Sequence, residues 1–216
     1  MDIIVDNVTK VIKGITVIQD VSLELHSGTV YGLRGVNGSG KTMLMRLIAG
    51  LIRPTKGTIT IDGKQLGKDI TFPPDVGLLI ENPAFIDNYT ALQNLKLIAN
   101  IHRVADETKI REVITEVGLD PDDKRKYKQF SLGMKQRLGI AGAVLENPQL
   151  ILIDEPTNAL DTDGIEMVRK MVIEQKERGA LVILACHDFS VLKELSDEIY
   201  FVKEGRVSPY ESENFN

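Results

Sequence analysis

Gly35-Val36-Asn37-Gly38-Ser39-Gly40-Lys41-Thr42 fits the pattern G-x-x-x-x-G-K-[ST] without a mismatch. A strand-like run, Thr29 to Leu33, precedes it, and a helix-like run, Lys41 to Ala49, follows. That order is what a phosphate cradle demands. Glycines at 35, 38 and 40 let the backbone curl through positive φ and aim successive N–H groups at one anion, with Val36, Asn37 and Ser39 completing the loop. The helix adds the partial positive charge of its N-terminus. Lys41 is placed to reach the β and γ phosphates of a nucleoside triphosphate, and the Thr42 hydroxyl to ligate the Mg²⁺ that accompanies them.

The chain has 216 residues, the size of one domain or of one domain with an inserted lobe. Hydrophobic residues at 43% and charged residues at 26% exclude a disordered chain or a coiled coil as a global description. A net charge of -5 leaves no basic footprint, so no nucleic-acid partner is expected. The single cysteine, Cys186, makes no internal disulfide and suits a reducing compartment. The opening MDIIVDNVTK has two acids and no basic run, and is expected to be a strand and not a signal peptide. No stretch approaches the roughly 18 apolar residues that span a bilayer. If the protein serves a membrane, the membrane part is another chain.

Short β-branched runs at Ile3–Val5, Ile15–Ile18 and Val21–Leu25 predict an antiparallel edge that leads into a central strand at 29–33. Thr58–Ile61 with Asp62-Gly63 predicts a strand and hairpin turn. Asp75–Glu81 is an apolar run ending in a carboxylate before Asn82-Pro83. From Thr90 the period becomes helical: Leu92, Leu95, Ile98, Ala99 and His102 share one face, and Ile110, Val113, Ile114 and Val117 another. His102 is expected at the surface without chemistry, as is His26 in its polar turn. These helices, with no strand between them, predict a helical lobe over about 88–147 that interrupts the α/β alternation. Lys124–Lys128, KRKYK, is the one basic run, either a solvated face or a patch facing phosphate or a partner. Glu198–Val202 and Val207 flank a last hairpin turn.

Two further elements make the loop more than a phosphate site. Leu150–Glu155, LILIDE, buries four apolar residues and pushes two acids out at the carboxyl end of a parallel strand. Asp154 is expected to hold Mg²⁺, and Glu155 to polarise the water that attacks the γ-phosphate. Ser131–Gln136, SLGMKQ, starts a helix, and Ser131 with Gly133 forms a second anion site from a hydroxyl and free N–H groups. Two phosphate-binding helix ends that cannot meet in one copy can meet between two.

As a set these motifs resemble the ATP-binding cassette (ABC) ATPase family over about residues 2–207. GVNGSGKT is similar to its Walker A, SLGMKQ to a variant of its LSGGQ signature, LILIDEP to its Walker B, and Asn158–Asp161 to its D-loop. His187 falls at its switch histidine. The resemblance implies an α/β P-loop NTPase of ABC type, with a RecA-like core, an N-terminal antiparallel β subdomain and the helical lobe, all within one domain, 1–216. It implies ATP and Mg²⁺ as cofactors, and a head-to-tail homodimer with ATP between the P-loop of one subunit and the signature of the other. Glu155 is then the general base and His187 contacts the γ-phosphate. Ser131 and Gly133 cap that phosphate from the opposite subunit, and Asp161 links the two sites. Closure on ATP and opening after hydrolysis drive a separate transmembrane permease, which places the chain on the cytoplasmic face of the membrane.

Three positions depart from the family pattern. Ile12 stands where an aromatic usually stacks on adenine, a contact worth ~1–3 kcal/mol per base in nucleic-acid proteins. Glu81 replaces the Q-loop glutamine, a charged oxygen ligand that implies a different hold on Mg²⁺ and altered coupling to the membrane subunit. Leu132 replaces the first glycine of the signature, and Met134 the residue before its glutamine region. Leu78–Phe85, LLIENPAF, and Phe130–Ala141, FSLGMKQRLGIA, are similar to cassettes of the bacitracin-resistance and lantibiotic-immunity exporters. A soluble ABC ATPase acting on ribosomes or DNA is the alternative, but such proteins usually carry two cassettes or a long coiled-coil insertion. A small-molecule P-loop kinase leaves SLGMKQ and the Asp154-Glu155 pair without a role.

Overall fold

The computed structural model describes residues 1–102 and 105–210; the expectation for His102 concerns a side chain outside the described residues. Strands β1 (Asp2–Ile12) and β2 (Ile15–His26) form a long hairpin. Its turn, Lys13-Gly14, holds both residues at positive φ (49° and 82°), the combination that matches the twist of the flanking strands. The predicted short runs are therefore parts of two long strands. β3 (Val30–Arg34) enters a second sheet, and the phosphate-loop stretch leads into α1 (Lys41–Ile48). β4 (Lys56–Ile61) and β5 (Lys64–Gln65) complete a four-stranded antiparallel sheet in the order β2-β1-β4-β5. β6 (Val76–Leu79) follows, then α2 (Ala91–His102), α3 (Glu107–Glu116), a 3₁₀ turn (Tyr127–Gln129) and α4 (Leu132–Val144). β7 (Leu150–Asp154), α5 (Thr162–Glu177), β8 (Leu181–Ala185), α6 (Phe189–Leu195), β9 (Glu198–Lys203) and β10 (Arg206–Pro209) close the chain.

The second sheet runs β10-β9-β3-β8-β7-β6, parallel except for β10. β7 and β8 are buried at every residue, which is why LILID and LVILA read as unbroken apolar runs. Their side chains still alternate. Leu150 and Leu152 face a core shared with α1 and the antiparallel sheet, whereas Ile151 and Ile153 face a core shared with the helices. This arrangement brings the carboxyl ends of β3, β8 and β7 side by side.

Among the described residues, the segment between β6 and β7 holds helices and no strand. Asn94, buried in α2, satisfies its amide by accepting from the Ile86 N–H at 2.8 Å and donating to the Thr90 carbonyl at 3.0 Å. Within the basic run the structure separates the residues. Tyr127 is buried against Phe85 and Phe130 and donates its hydroxyl to the Pro83 carbonyl at 2.5 Å, while the flanking lysines stay at the surface. β6 lies so close to α4 that a Cβ at residue 77 would stand 1.7 Å from the Ala143 carbonyl oxygen. Gly77→Ala is therefore expected to force strand and helix apart and to destabilise the protein by at least about 1–3 kcal/mol, as read from urea unfolding.

Candidate active site

The Gly-rich loop is clamped from two sides. The turn between β9 and β10, Glu204-Gly205, donates the Gly205 N–H to the Ser39 carbonyl at 2.8 Å, and the Gly205 carbonyl accepts from the Gln19 N–H at 2.8 Å. Gly35 has no room for a side chain, because a Cβ there would meet the Val202 carbonyl at 2.3 Å. Gly40 has φ 118°, and the first-turn amides of α1 that follow it have no intrahelical acceptor. Lys41 is 6% exposed and donates to the Gly35 and Val36 carbonyls at 2.7 and 3.3 Å, so its ammonium sits inside the curl of the loop. The Ser39 hydroxyl is buried beneath the loop without a hydrogen-bond partner among the described residues.

Beside the loop, the Thr42 hydroxyl donates to Asp154 Oδ2 at 2.5 Å. Burial, with the negative charges of Glu155 and Glu81, pushes the Asp154 carboxyl above its ordinary range, against the opposing pull of Thr42 and Lys41. A buried carboxylate next to a hydroxyl, with the Glu155 and Glu81 carboxylates nearby, is a hard-oxygen set, and its chemistry fits a hydrated Mg²⁺. Glu81 lies at positive φ (65°), and its Oε1 accepts from Arg46 at 2.6 Å, which ties it to the last turn of α1.

Glu155 follows Asp154 in the left-handed region (φ 52°), a conformation that costs an ordinary residue ~1–3 kcal/mol. Three hydrogen bonds hold it there. Its N–H donates to the Ala185 carbonyl at 2.7 Å, and its own carbonyl and that of Pro156 accept from the Gln136 amide at 2.8 and 3.2 Å. The carboxylate is thereby turned toward His187, whose Nδ1 lies 2.6 Å from Glu155 Oε2. Gln136 is a residue that motif reading passed over. A signal was present, because a polar side chain at 136 shares the apolar face of Ile140 and Ala143 (i, i+4, i+7) and is itself buried.

A cavity of about 610 Å³ opens over this group. Gly38, Lys41, Thr42, Asp154 and Glu155 line it, together with Ile15, Thr16 and Val17 on one wall and Glu204 at the rim. The apolar wall is Ile15–Val17; Ile12 does not line it. Ser131, Gly133, Glu81, Asp161 and His187 lie outside the cavity lining. Ser131 caps α4, accepting from the Met134 N–H at 3.2 Å, with Leu132 beside it 74% exposed. Gly133 faces the Ala159 carbonyl, which a Cβ would approach to 2.8 Å.

Asp161 caps α5 by accepting from the Gly164 N–H at 2.9 Å and pairs with Arg137 at 3.0 Å. The Gly164 amide, helped by the Arg137 guanidinium, holds its carboxyl below the usual range against the opposing effect of burial. The unfolded chain therefore binds the proton more readily, so the stabilisation exists above the unfolded carboxyl's range and is lost as pH falls through the folded one. Asp161→Ala is expected to lower the melting temperature at neutral pH by an amount that shrinks on acidification. A gap constant with pH would contradict this origin.

The parallel sheet, the clamped glycine loop and the Thr42–Asp154–Glu155 group at the strand ends define a P-loop nucleoside triphosphatase. Residues 18–158 match the ABC transporter family. An ABC transporter ATP-binding protein of Bacillus subtilis, YybJ, is 46% identical over 205 residues, which make up 95% of this chain and 94% of the relative. The lantibiotic transport ATP-binding protein SrtF of Streptococcus pyogenes is 37% identical across 89% of this chain and 82% of its own length. The bacitracin transport ATP-binding protein BcrA of Enterococcus faecalis is 34% identical across 94% of this chain and 66% of its own. Among solved structures, an ATP-binding subunit of an ABC transporter superposes with a TM-score of 0.89 at 27% identity, covering 99% of this chain and 91% of that one. The dimeric bacterial cassette MJ0796 gives 0.87 at 29%, covering 99% and 100%. The chain belongs to the ABC transporter family, as an ATP-binding subunit and an ATPase. Among the described residues no helix is long and apolar enough to cross a membrane.

Proposed function

We propose that this chain is the ATP-hydrolysing subunit of a bacterial exporter of peptide antibiotics or related drugs, working as a homodimer on a separate transmembrane permease at the cytoplasmic face of the membrane. The observation that carries the hydrolytic part is the Glu155–His187 contact of 2.6 Å, held at the strand ends beside the Thr42–Asp154 pair. In this reading the loop amides of residues 35–42 and Lys41 bind the phosphates. Thr42 and Asp154, with Glu81 nearby, hold Mg²⁺, which when bound neutralises charge on the β and γ phosphates. Glu155 takes the proton of the attacking water. His187 orients that carboxylate through Nδ1 and contacts the γ-phosphate.

The dimer reading is supported by the signature residues. Ser131 and Leu132 are exposed, and neither they nor Gly133 line the cavity of their own chain, so a second copy is the natural owner of the nucleotide they cap. Asp161, exposed at the start of α5 and bound to Arg137 of α4, is positioned to report between the sites. The whole chain acts as one domain, the segment at about 88–147 being a lobe that carries the signature. Export of peptide antibiotics is supported by the likeness to the lantibiotic and bacitracin transport proteins. For the permease, an apolar cleft of about 310 Å³ between β6, α2 and α4 is the proposed seat of one of its helices. The loop from Glu81 to Phe85 joins the nucleotide site to that cleft, and the Tyr127–Pro83 bond fixes the loop.

Detergent co-purification of the tagged chain from its native host tests the assignment. A multi-span membrane protein at comparable stoichiometry supports it. Ribosomal or DNA-repair proteins in its place would favour the soluble ATPase.

A further inference from the structure

The geometry points to a second metal site in the chain, formed by Glu155, Cys186 and His187, that takes a borderline-soft divalent cation of the Zn²⁺ type and arrests hydrolysis when filled. One ligand atom from each of the three residues lies within 4.8 Å of the others. The cause is the register of the sheet. β7 and β8 run parallel with Asp154 opposite Ala185, so the next residues, Glu155 and the Cys186-His187 pair, leave adjacent strand ends together. Cys186 is buried, Glu155 is half-buried and His187 is exposed, which leaves an approach from the solvent side with sulfur as the inner ligand.

The donor set separates this site from the Mg²⁺ site. Oxygen ligands suit Mg²⁺, whereas carboxylate, imidazole and thiolate together suit Zn²⁺. Zn²⁺ bonds of ~2.0–2.3 Å in a tetrahedron place ligand atoms roughly 3.3–3.8 Å apart. The Glu155–His187 contact of 2.6 Å must therefore open slightly and the sulfur close in, a side-chain adjustment with water as fourth ligand. Support for the sulfur is in place. The Asp188 N–H bonds to the sulfur, and Thr157 Oγ1 lies 3.7 Å from Sγ, where its hydroxyl is free to turn and donate to the charge the sulfur takes on as a ligand. Burial pushes the free thiol up, so binding releases its proton. No electron changes hands. The filled site occupies the carboxylate that takes the proton from water, so the arrest rests on the role proposed for Glu155, whereas the binding does not.

Cys186 is the only cysteine, so a thiolate signal has one possible source. Titrating the nucleotide-free full chain with Co²⁺ is expected to give a near-ultraviolet sulfur-to-cobalt charge-transfer band that Zn²⁺ removes. The band is expected to be absent from both Cys186→Ser and Cys186→Ala. Buffered free Zn²⁺ is expected to inhibit Mg-ATP hydrolysis by the unmodified chain at a concentration at least about tenfold lower than either variant requires, with basal turnover retained in both. No charge-transfer band, or inhibition equal in all three proteins, overturns the site. A Cys186-dependent band with turnover untouched by zinc keeps the binding site and overturns Glu155 as the base.

Discussion

Glu155→Gln is expected to stop hydrolysis while leaving ATP bound. Glutamine keeps the length of the side chain, and the hydrogen bonds that set its backbone, from the residue 155 N–H to the Ala185 carbonyl and from Gln136 to its own carbonyl, do not involve the carboxylate. The left-handed conformation at φ 52° is therefore retained, and the loop that grips the phosphates is unaltered. What is lost is the group that takes the proton from water, and a positioned base is worth about 10²–10⁴ in rate. With hydrolysis blocked, the ATP-loaded dimer accumulates and is read by gel filtration at saturating Mg-ATP. A monomer under those conditions would count against the two-copy site, whereas a dimer that still hydrolyses at the unmodified rate would remove Glu155 from the base position.

The elements of this site were legible in the sequence where the physics is local. Gly35–Thr42 had its glycines and its strand and helix neighbours within a short stretch, and β7 and β8 showed as apolar runs because both faces of those strands are buried. Contacts between distant segments left no local trace. The Gly205 N–H that grips Ser39, and the wall of Ile15–Val17, arise from two hairpins folding over the loop, and their strand lengths and registers set which side chains reach it. The basic run showed charge but concealed that Tyr127 turns inward to Phe85 and Phe130. The left-handed backbone at Glu155 has no signature in residue type, since glutamate is not a residue that favours it. Gln136 had the clearest overlooked signal, a polar side chain on a buried helical face, and its partners are two main-chain carbonyls that no pattern of residue types encodes.

Lys41→Ala is expected to remove most of the affinity for ATP. The cavity is lined by three carboxylates, Asp154, Glu155 and Glu204, and by one ammonium, Lys41, so without that lysine the triphosphate faces an acidic wall. Hydrogen bonds to charged groups contribute about 1.5–3 kcal/mol each, and the loss of one at the upper end weakens binding roughly a hundredfold. Lys41 also donates to the Gly35 and Val36 carbonyls, so the melting temperature must accompany the titration, and Lys41→Met, which keeps the apolar stem, separates loss of charge from loss of loop shape. Unchanged affinity in both variants would contradict the role of the lysine. Combining Lys41→Ala with Glu155→Gln sharpens the test. The glutamine variant dimerises only because ATP stays bound, so removing the lysine from it should abolish the trapped dimer even though hydrolysis is already absent. The binding step then stands upstream of the base.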